Sequence, residues 1–303
     1  MQFLNKKAND AVVLEEPQTV SVEEPAVLTN FWVDFSKSIS YAHTKPISCK
    51  YKGLDISCAG WNALFINLTR LVSVMMVNNE IGTIEPIKEL AAVAHTHGAL
   101  FHTDAVQAVG HISIDVNEIG IDMLSASAHK FNGPKGIGFL YIRKGTQIRP
   151  LADGGAQEFH MRAGTENIAS IVGMAVALQK NCRTMQETST KLQAMDHAFI
   201  DALHEAGIDF VRNGSANRMP GIISISIRGI SGEMLLHRLD LKGISISTGS
   251  ACDSVNTRVS HVIKAIGIPS AYAQGTIRVS FGRDNQIEEA VNIAQAIEKI
   301  VHT

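Results

Sequence analysis

Lys130 stands where a lysine can do chemistry. The run Leu124-Ser-Ala-Ser-Ala-His-Lys130 is apolar and strand-like, and it opens straight into Phe-Asn-Gly-Pro-Lys-Gly-Ile-Gly138, a glycine-rich turn. An amine at the end of a strand sits where α/β enzymes gather their reactive groups. Desolvation there lowers the pKa of a lysine and makes it a nucleophile toward an aldehyde. Upstream, His102-Thr-Asp104-Ala-Val-Gln107 is a second apolar run that ends in an acid. A lysine and a carboxylate on two strand ends are what pyridoxal phosphate needs: a covalent anchor, and an acid for the pyridinium nitrogen. Each residue alone has a plainer reading, as a solvated turn lysine and a helix N-cap aspartate. The pair, in this order, strengthens the catalytic reading but does not by itself give a function.

Other segments carry weaker signals of the same kind. Asn78-Asn-Glu-Ile-Gly82 follows a strand candidate. It reads either as an ordinary turn or as a neutral amide placed to bond a cofactor's phenolic oxygen. Gly154-Gly-Ala-Gln-Glu158 with Arg162-Ala-Gly-Thr-Glu-Asn167 precedes a helix. A surface turn with an N-cap is one reading; an anion site built from backbone N–H groups and Thr165 is the other. Thr248-Gly-Ser-Ala-Cys252-Asp-Ser places a cysteine among small polar residues. That setting suits an accessible thiol better than a core one. Arg278 lies inside the apolar strand of Gly275-Thr-Ile-Arg-Val-Ser-Phe-Gly282. An inward guanidinium requires an anion, from the protein or from a substrate carboxylate.

The elements that must position these groups become regular near Leu71. Leu71–Val77 is a strand candidate, and Pro86 opens a helix with Ile87, Leu90, Ala91 and Ala94 on its apolar face, ended by Gly98. Strands are expected at 99–102, 123–127 and 138–142, with a short helix at 115–119. Strands alternating with helices argue for an α/β fold on a mainly parallel sheet. Two long helices follow, about 167–180 and 187–206. A smaller α+β region then holds strands at 221–227, 244–247 and 276–280 and helices at 232–241 and 260–266. A closing helix begins near Asn285, with Glu288 placed for a capping box and Ile287, Val291, Ala294 and Ile297 inward. Three regions result: an irregular segment over 1–60, a large domain over 61–182, and a linking helix with a small domain over 183–303.

Composition excludes several classes. The 303 residues, 45% hydrophobic and 18% charged, describe a globular protein with a substantial core. A net charge of -2 gives no reason to expect nucleic acid or an anionic membrane as partner. No apolar stretch is long enough to span a bilayer, and the first residues lack the apolar block of a signal peptide, so a cytoplasmic location is expected. Cys49, Cys58, Cys182 and Cys252 show no zinc or iron–sulfur spacing. Glu15-Glu-Pro-Gln-Thr-Val-Ser-Val-Glu-Glu-Pro25 is acidic and proline-punctuated, the pattern of a flexible segment.

Seven segments in order carry a resemblance: Asn78-Asn-Glu-Ile-Gly, His102-Thr-Asp-Ala-Val-Gln, Ser127-Ala-His-Lys, Gly133-Pro-Lys-Gly, Arg162-Ala-Gly-Thr-Glu-Asn, Gly249-Ser-Ala-Cys and Ile277-Arg-Val-Ser-Phe-Gly. From about Leu71 to the C-terminus the chain resembles the group I cysteine desulfurases, of the class V aminotransferase superfamily. The resemblance implies pyridoxal phosphate fold type I, with a large domain on a mainly parallel sheet and a smaller C-terminal α+β domain. It implies pyridoxal 5'-phosphate as cofactor, L-cysteine as substrate, a homodimer, and an iron–sulfur scaffold or other sulfur acceptor as partner.

By the same resemblance, Lys130 holds the cofactor covalently and Asp104 pairs with its ring nitrogen. Asn78 and Gln107 bond the phenolic oxygen, with Asn78 also near the substrate. Ser127 and His129 hold the phosphate, reached by Thr165 from the partner subunit, and Arg278 binds the substrate carboxylate. Cys252 takes the sulfur as a persulfide, and a transient iron–sulfur cluster on Cys252 is the one metal contact implied.

Before Leu71 the family's aspartate-asparagine-alanine strand, glycine-threonine phosphate loop and ring-stacking histidine are not matched; His43 is the one histidine there. The expectation is therefore an N-terminally truncated or altered member. Ala156 and Phe159-His160 also stand where the family has glycine and an arginine-glycine pair. Two other functions compete: a selenocysteine lyase with the same apparatus, and a catalytically impaired relative acting as a binding or dimerisation module. A cysteine-nucleophile hydrolase would leave Lys130 and Asp104 unexplained.

Overall fold

The computed structural model describes residues 69–248 and 259–302, with the backbone of several short strands before them. Those residues fall into two compact units. One comprises 69–76 and 86–183 with most of the early strands; the other comprises 77–85, 184–248 and 259–302.

The first unit is built on a six-stranded sheet. Its strands are β1 (Ala26–Thr29), β2 (Ile39–Tyr41), β3 (Leu71–Met75), β4 (Leu100–Asp104), β5 (Met123–Ser127) and β6 (Gly138–Ile142), in the spatial order β1-β6-β5-β4-β3-β2. The strands β2, β3, β4 and β5 pair in parallel. Strand β6 instead runs antiparallel to both β5 and β1. A parallel return from β5 would need a crossover of a dozen or more residues, and the short turn between them is too tight for one. The parallel-dominated α/β sheet is as expected, and β6 is its antiparallel departure.

Burial along the strands follows their position. Strand β3 alternates, with Val72 and Val74 inward, whereas β4 in the centre is covered on both faces and buries Phe101, His102 and Thr103. Helix α1 (Ile87–Thr96) buries the expected Ile87, Leu90, Ala91 and Ala94. Helix α2 (Val116–Ile119) is capped by Asp115, whose side chain accepts from the N–H groups of Asn117 and Glu118.

Where two helices were expected after Asn167, a single one, α3 (Ile168–Glu205), runs 38 residues. The polar stretch between them contains neither proline nor glycine, so nothing breaks the backbone ladder there.

The second unit carries an antiparallel sheet of β7 (Phe210–Arg212), β8 (Ile222–Ile227) and β9 (Thr276–Ser280), in that order. Strand β7 was not foreseen, and its three residues are too few to show a period. The strand expected at 244–247 is reduced to one bridge, Ser247 with Arg278. Helices α4 (Gly232–Asp240) and α7 (Ile287–Val301), with Leu192, Met195, Phe199 and Leu203 of α3, cover this sheet around Ile223, Ile225 and Ile277. Helices α5 (His261–Ala265) and α6 (Ser270–Ala273) enclose a smaller cluster with Ile81.

The capping box of α7 uses Gln286 and Glu289, one residue later than expected for Glu288. The buried face consequently runs through Ala290, Ala294, Ile297 and Ile300, and Ile287 is 43% exposed. Among the described residues, no helix is long and apolar enough to cross a membrane.

Candidate active site

Asp104 closes β4, and the turn carrying Lys130 closes the neighbouring parallel strand β5, so both leave the sheet at the same carboxyl edge. Asp104 Oδ1 accepts the Val106 N–H at 2.9 Å. Burial pushes the Asp104 carboxyl above its usual range, while the Val106 N–H and the Lys130 charge pull it back down. Lys130 is therefore close enough to act on Asp104. The Lys130 side chain is itself exposed, so the desolvation expected at the strand end is not supplied by the described residues.

The turn Ala128–Phe131 is a single 3-10 turn whose first and last residues share one face: Ala128 and Phe131 are fully buried, while His129 and Lys130 between them are exposed. Ser127 Oγ and His129 Nδ1 lie 2.8 Å apart. Whichever of them carries the bonding hydrogen, the pair keeps one further hydrogen to offer an anion. Burial, then the charges of Lys130 and Lys135, hold the His129 imidazole below its ordinary pKa. Gln107, half-buried, lies three residues beyond Asp104.

Thr165 is exposed in the loop that leads into α3. In that loop the Gly164 N–H is already taken by Gln157 Oε1 at 3.1 Å, and Asn167 Oδ1 accepts the Ser170 N–H at 3.2 Å. One of the backbone donors expected for an anion is thus committed internally, and Asn167 is the helix cap. Glu158, Phe159 and His160 form three successive left-handed residues in the same region.

Asn78 and Arg278 belong to the second unit. Asn78 is buried, and its Oδ1 accepts the N–H groups of Glu80 and Ile81 at 2.9 and 3.1 Å. This is the turn-forming role of an asparagine. The Arg278 side chain donates from Nη1 to the Asn79 carbonyl at 2.8 Å, next to Asn78. Cys252 lies outside the described residues, as do Cys58 and His43, and of Cys49 only the backbone is described. Cys182 is a free, exposed thiol.

Two side chains that hold the lysine turn escaped the sequence reading. His111 Nε2 lies 2.8 Å from the Lys130 carbonyl oxygen, and Asn181 Nδ2 donates to the Phe131 carbonyl at 3.1 Å. The Gly110-His111 pair directly after the Asp104 segment is the only local signal that could have marked the first.

By its chemistry, the donor set of the first unit fits pyridoxal phosphate. An exposed amine can take an aldehyde, a half-buried carboxylate can face a protonated ring nitrogen, and a hydroxyl–imidazole pair beside two lysine charges can receive a phosphate.

Residues 46–293 match the family described as aminotransferase class V, a match that begins well before Leu71. The chain is 47% identical over 234 residues to "Cysteine desulfurase IscS" of Dictyoglomus turgidum, covering 77% of this chain and 59% of that protein. It is 42% identical over 290 residues to "Cysteine desulfurase NifS" of Azotobacter vinelandii, covering 93% of this chain and 70% of that one. Among solved structures, a "NifS-like protein" superposes with a TM-score of 0.74 at 34% identity, over 81% of this chain and 65% of the other. The chain thus spans about three fifths of the length of the Dictyoglomus protein.

Proposed function

This chain belongs to the aminotransferase class V family, among the group I cysteine desulfurases, and on that premise we propose that it removes sulfur from L-cysteine with pyridoxal 5'-phosphate. The products are L-alanine and a persulfide on Cys252, for delivery to an iron–sulfur scaffold or another sulfur acceptor. The observation that carries the reading is the parallel pairing of β4 and β5, which brings Asp104 and the turn bearing Lys130 to one edge of the sheet.

Lys130 would hold the cofactor through its aldehyde carbon, and Asp104 would keep a proton on the ring nitrogen. Ser127 and His129 would take the phosphate, with Thr165 reaching it from a second copy of the chain. Asn78 and Gln107 would donate to the phenolic oxygen, and Arg278 would bind the substrate carboxylate bidentately. When bound, the cofactor supplies an electron sink that weakens the bonds at the substrate's Cα and Cβ.

The Cys252 thiolate attacks the substrate sulfur, the carbon–sulfur bond breaks, and the carbon takes a proton. Cysteine and one enzyme thiol thus become alanine and one enzyme persulfide, with no external oxidant or reductant. In this reading residues 61–182 are the cofactor domain, and 183–303 are the linking helix and the small domain bearing the cysteine loop. The setting is a cytoplasmic homodimer.

The test is cysteine-dependent alanine and sulfide production by the cofactor-loaded protein. Activity lost in Cys252→Ser supports the reading, and selenocysteine in place of cysteine reports the selenium preference. Protein that binds a second copy or a sulfur acceptor yet takes up no cofactor overturns it in favour of a non-catalytic module.

A further inference from the structure

We propose that His111 and Asn181 are positioning residues that clamp the backbone of the lysine turn from two sides and so set the aim of Lys130. This rests on the cofactor reading above. Both Asn132, left-handed at φ 64°, and Gly133 donate their N–H groups to the Ala128 carbonyl, and Ala128 N–H goes to Ile137. The next two carbonyls of interest, of Lys130 and Phe131, point instead to side chains. His111 takes the first at 2.8 Å and Asn181 the second at 3.1 Å. A carbonyl only accepts, so the His111 ring must carry its hydrogen on Nε2.

The three segments are brought together from far apart in the chain. His111 is 19 residues before Lys130, and Asn181 is 50 residues after Phe131. Gly110 makes the convergence possible: at φ +80° it is left-handed, and a Cβ there would sit 3.1 Å from Phe131 Cβ and 3.4 Å from both Cβ and Nδ2 of Asn181. Gly173, one face of α3, lies against the same turn in a similar way, since its Cβ would meet Pro134 Cγ at 2.9 Å. Phe131 is wholly buried and Asn181 nearly so, whereas Lys130 is exposed. The clamp therefore fixes the backbone on the core side and leaves the amine free at the rim. An exposed lysine has four rotatable bonds and no packing to orient it, so the placement of its Cα is what the fold can control.

The experiment has two arms. In the cofactor-free chain, amide hydrogen exchange of Asn132 and Gly133 is compared in His111→Leu, His111→Gln and Asn181→Leu. Loss of one hydrogen bond of ordinary worth should speed exchange roughly fivefold in His111→Leu. His111→Gln, which retains a donor, should restore protection, and the half-exposed site of His111 keeps this arm decisive even if Asn181→Leu does not fold.

In the loaded protein, the pH midpoint of the bound cofactor's visible absorbance is measured. It should shift in His111→Leu and return in His111→Gln, a response that mere loosening of the fold would not reverse. Unchanged exchange, or faster exchange with an unmoved midpoint, overturns the proposal. If the wild-type chain takes up no colour, the cofactor reading fails, and the exchange arm alone decides whether the clamp exists.

Discussion

Asp104 and Ser125 face each other across the parallel pairing of β4 and β5. That register sets the site, because Ser127 lies two residues beyond Ser125 on the same strand and the lysine turn begins immediately after it. The acid and the amine are thereby delivered to one edge by backbone pairing alone, before any side chain is considered.

If the two groups share that edge electrostatically, removing the amine must be felt by the acid. In Lys130→Met the Asp104 carboxyl loses one of the two influences that oppose burial, so its pKa should rise above that in the unsubstituted chain. Carboxyl-carbon NMR titration of the aspartate-labelled, cofactor-free protein measures this. An unmoved Asp104 would show that the amine does not reach it.

Much of this placement was legible in the chain. Leu124–Lys130 and His102–Asp104 announced themselves as apolar runs ending in reactive residues, and α1 showed its buried face by period. What the text of the chain hid depends on contacts between distant residues. Nothing near His111 or Asn181 says that their partners are the carbonyls of Lys130 and Phe131, 19 and 50 residues away. The merging of two expected helices into α3 was missed because a polar stretch resembles a linker when its buried side, which includes Asn181, is not known. The one-residue shift of the α7 cap came from two adjacent glutamates, either of which satisfies the local pattern.

The core of the first unit should respond to acid through His102. This buried imidazole has its Nδ1 2.8 Å from Ser73 Oγ, and burial pushes its pKa down to about 4. Above pH 6.5 the imidazole is neutral in folded and unfolded chains alike, and its contribution is fully present. As pH falls below that value, the unfolded chain takes up a proton that the folded one refuses, and stability declines until the folded pKa is reached. The full gap corresponds to roughly 3 kcal/mol. Denaturant unfolding across this window should show the decline, and His102→Asn should flatten it. A slope unchanged by the substitution would assign the acid sensitivity elsewhere.

The loop before α3 holds removable strain. Glu158, Phe159 and His160 have φ of 46°, 60° and 64°, a conformation that costs a side-chain-bearing residue about 1 kcal/mol or more. His160→Gly, which reinstates the glycine of the family's arginine-glycine pair, should therefore stabilise the chain by about 1 kcal/mol, less the entropy glycine adds to the unfolded state. A shift of the unfolding midpoint to higher denaturant checks it; a lower midpoint would mean the loop's geometry is imposed by His160 itself.

The most direct test of the whole account is chemical. The protein is loaded with pyridoxal 5'-phosphate, reduced with borohydride to fix the cofactor to the amine that holds it, digested, and mapped by mass spectrometry. The account predicts the added mass on Lys130, with none recovered there from Lys130→Ala. Label on another lysine, or an unlabelled chain, would contradict it.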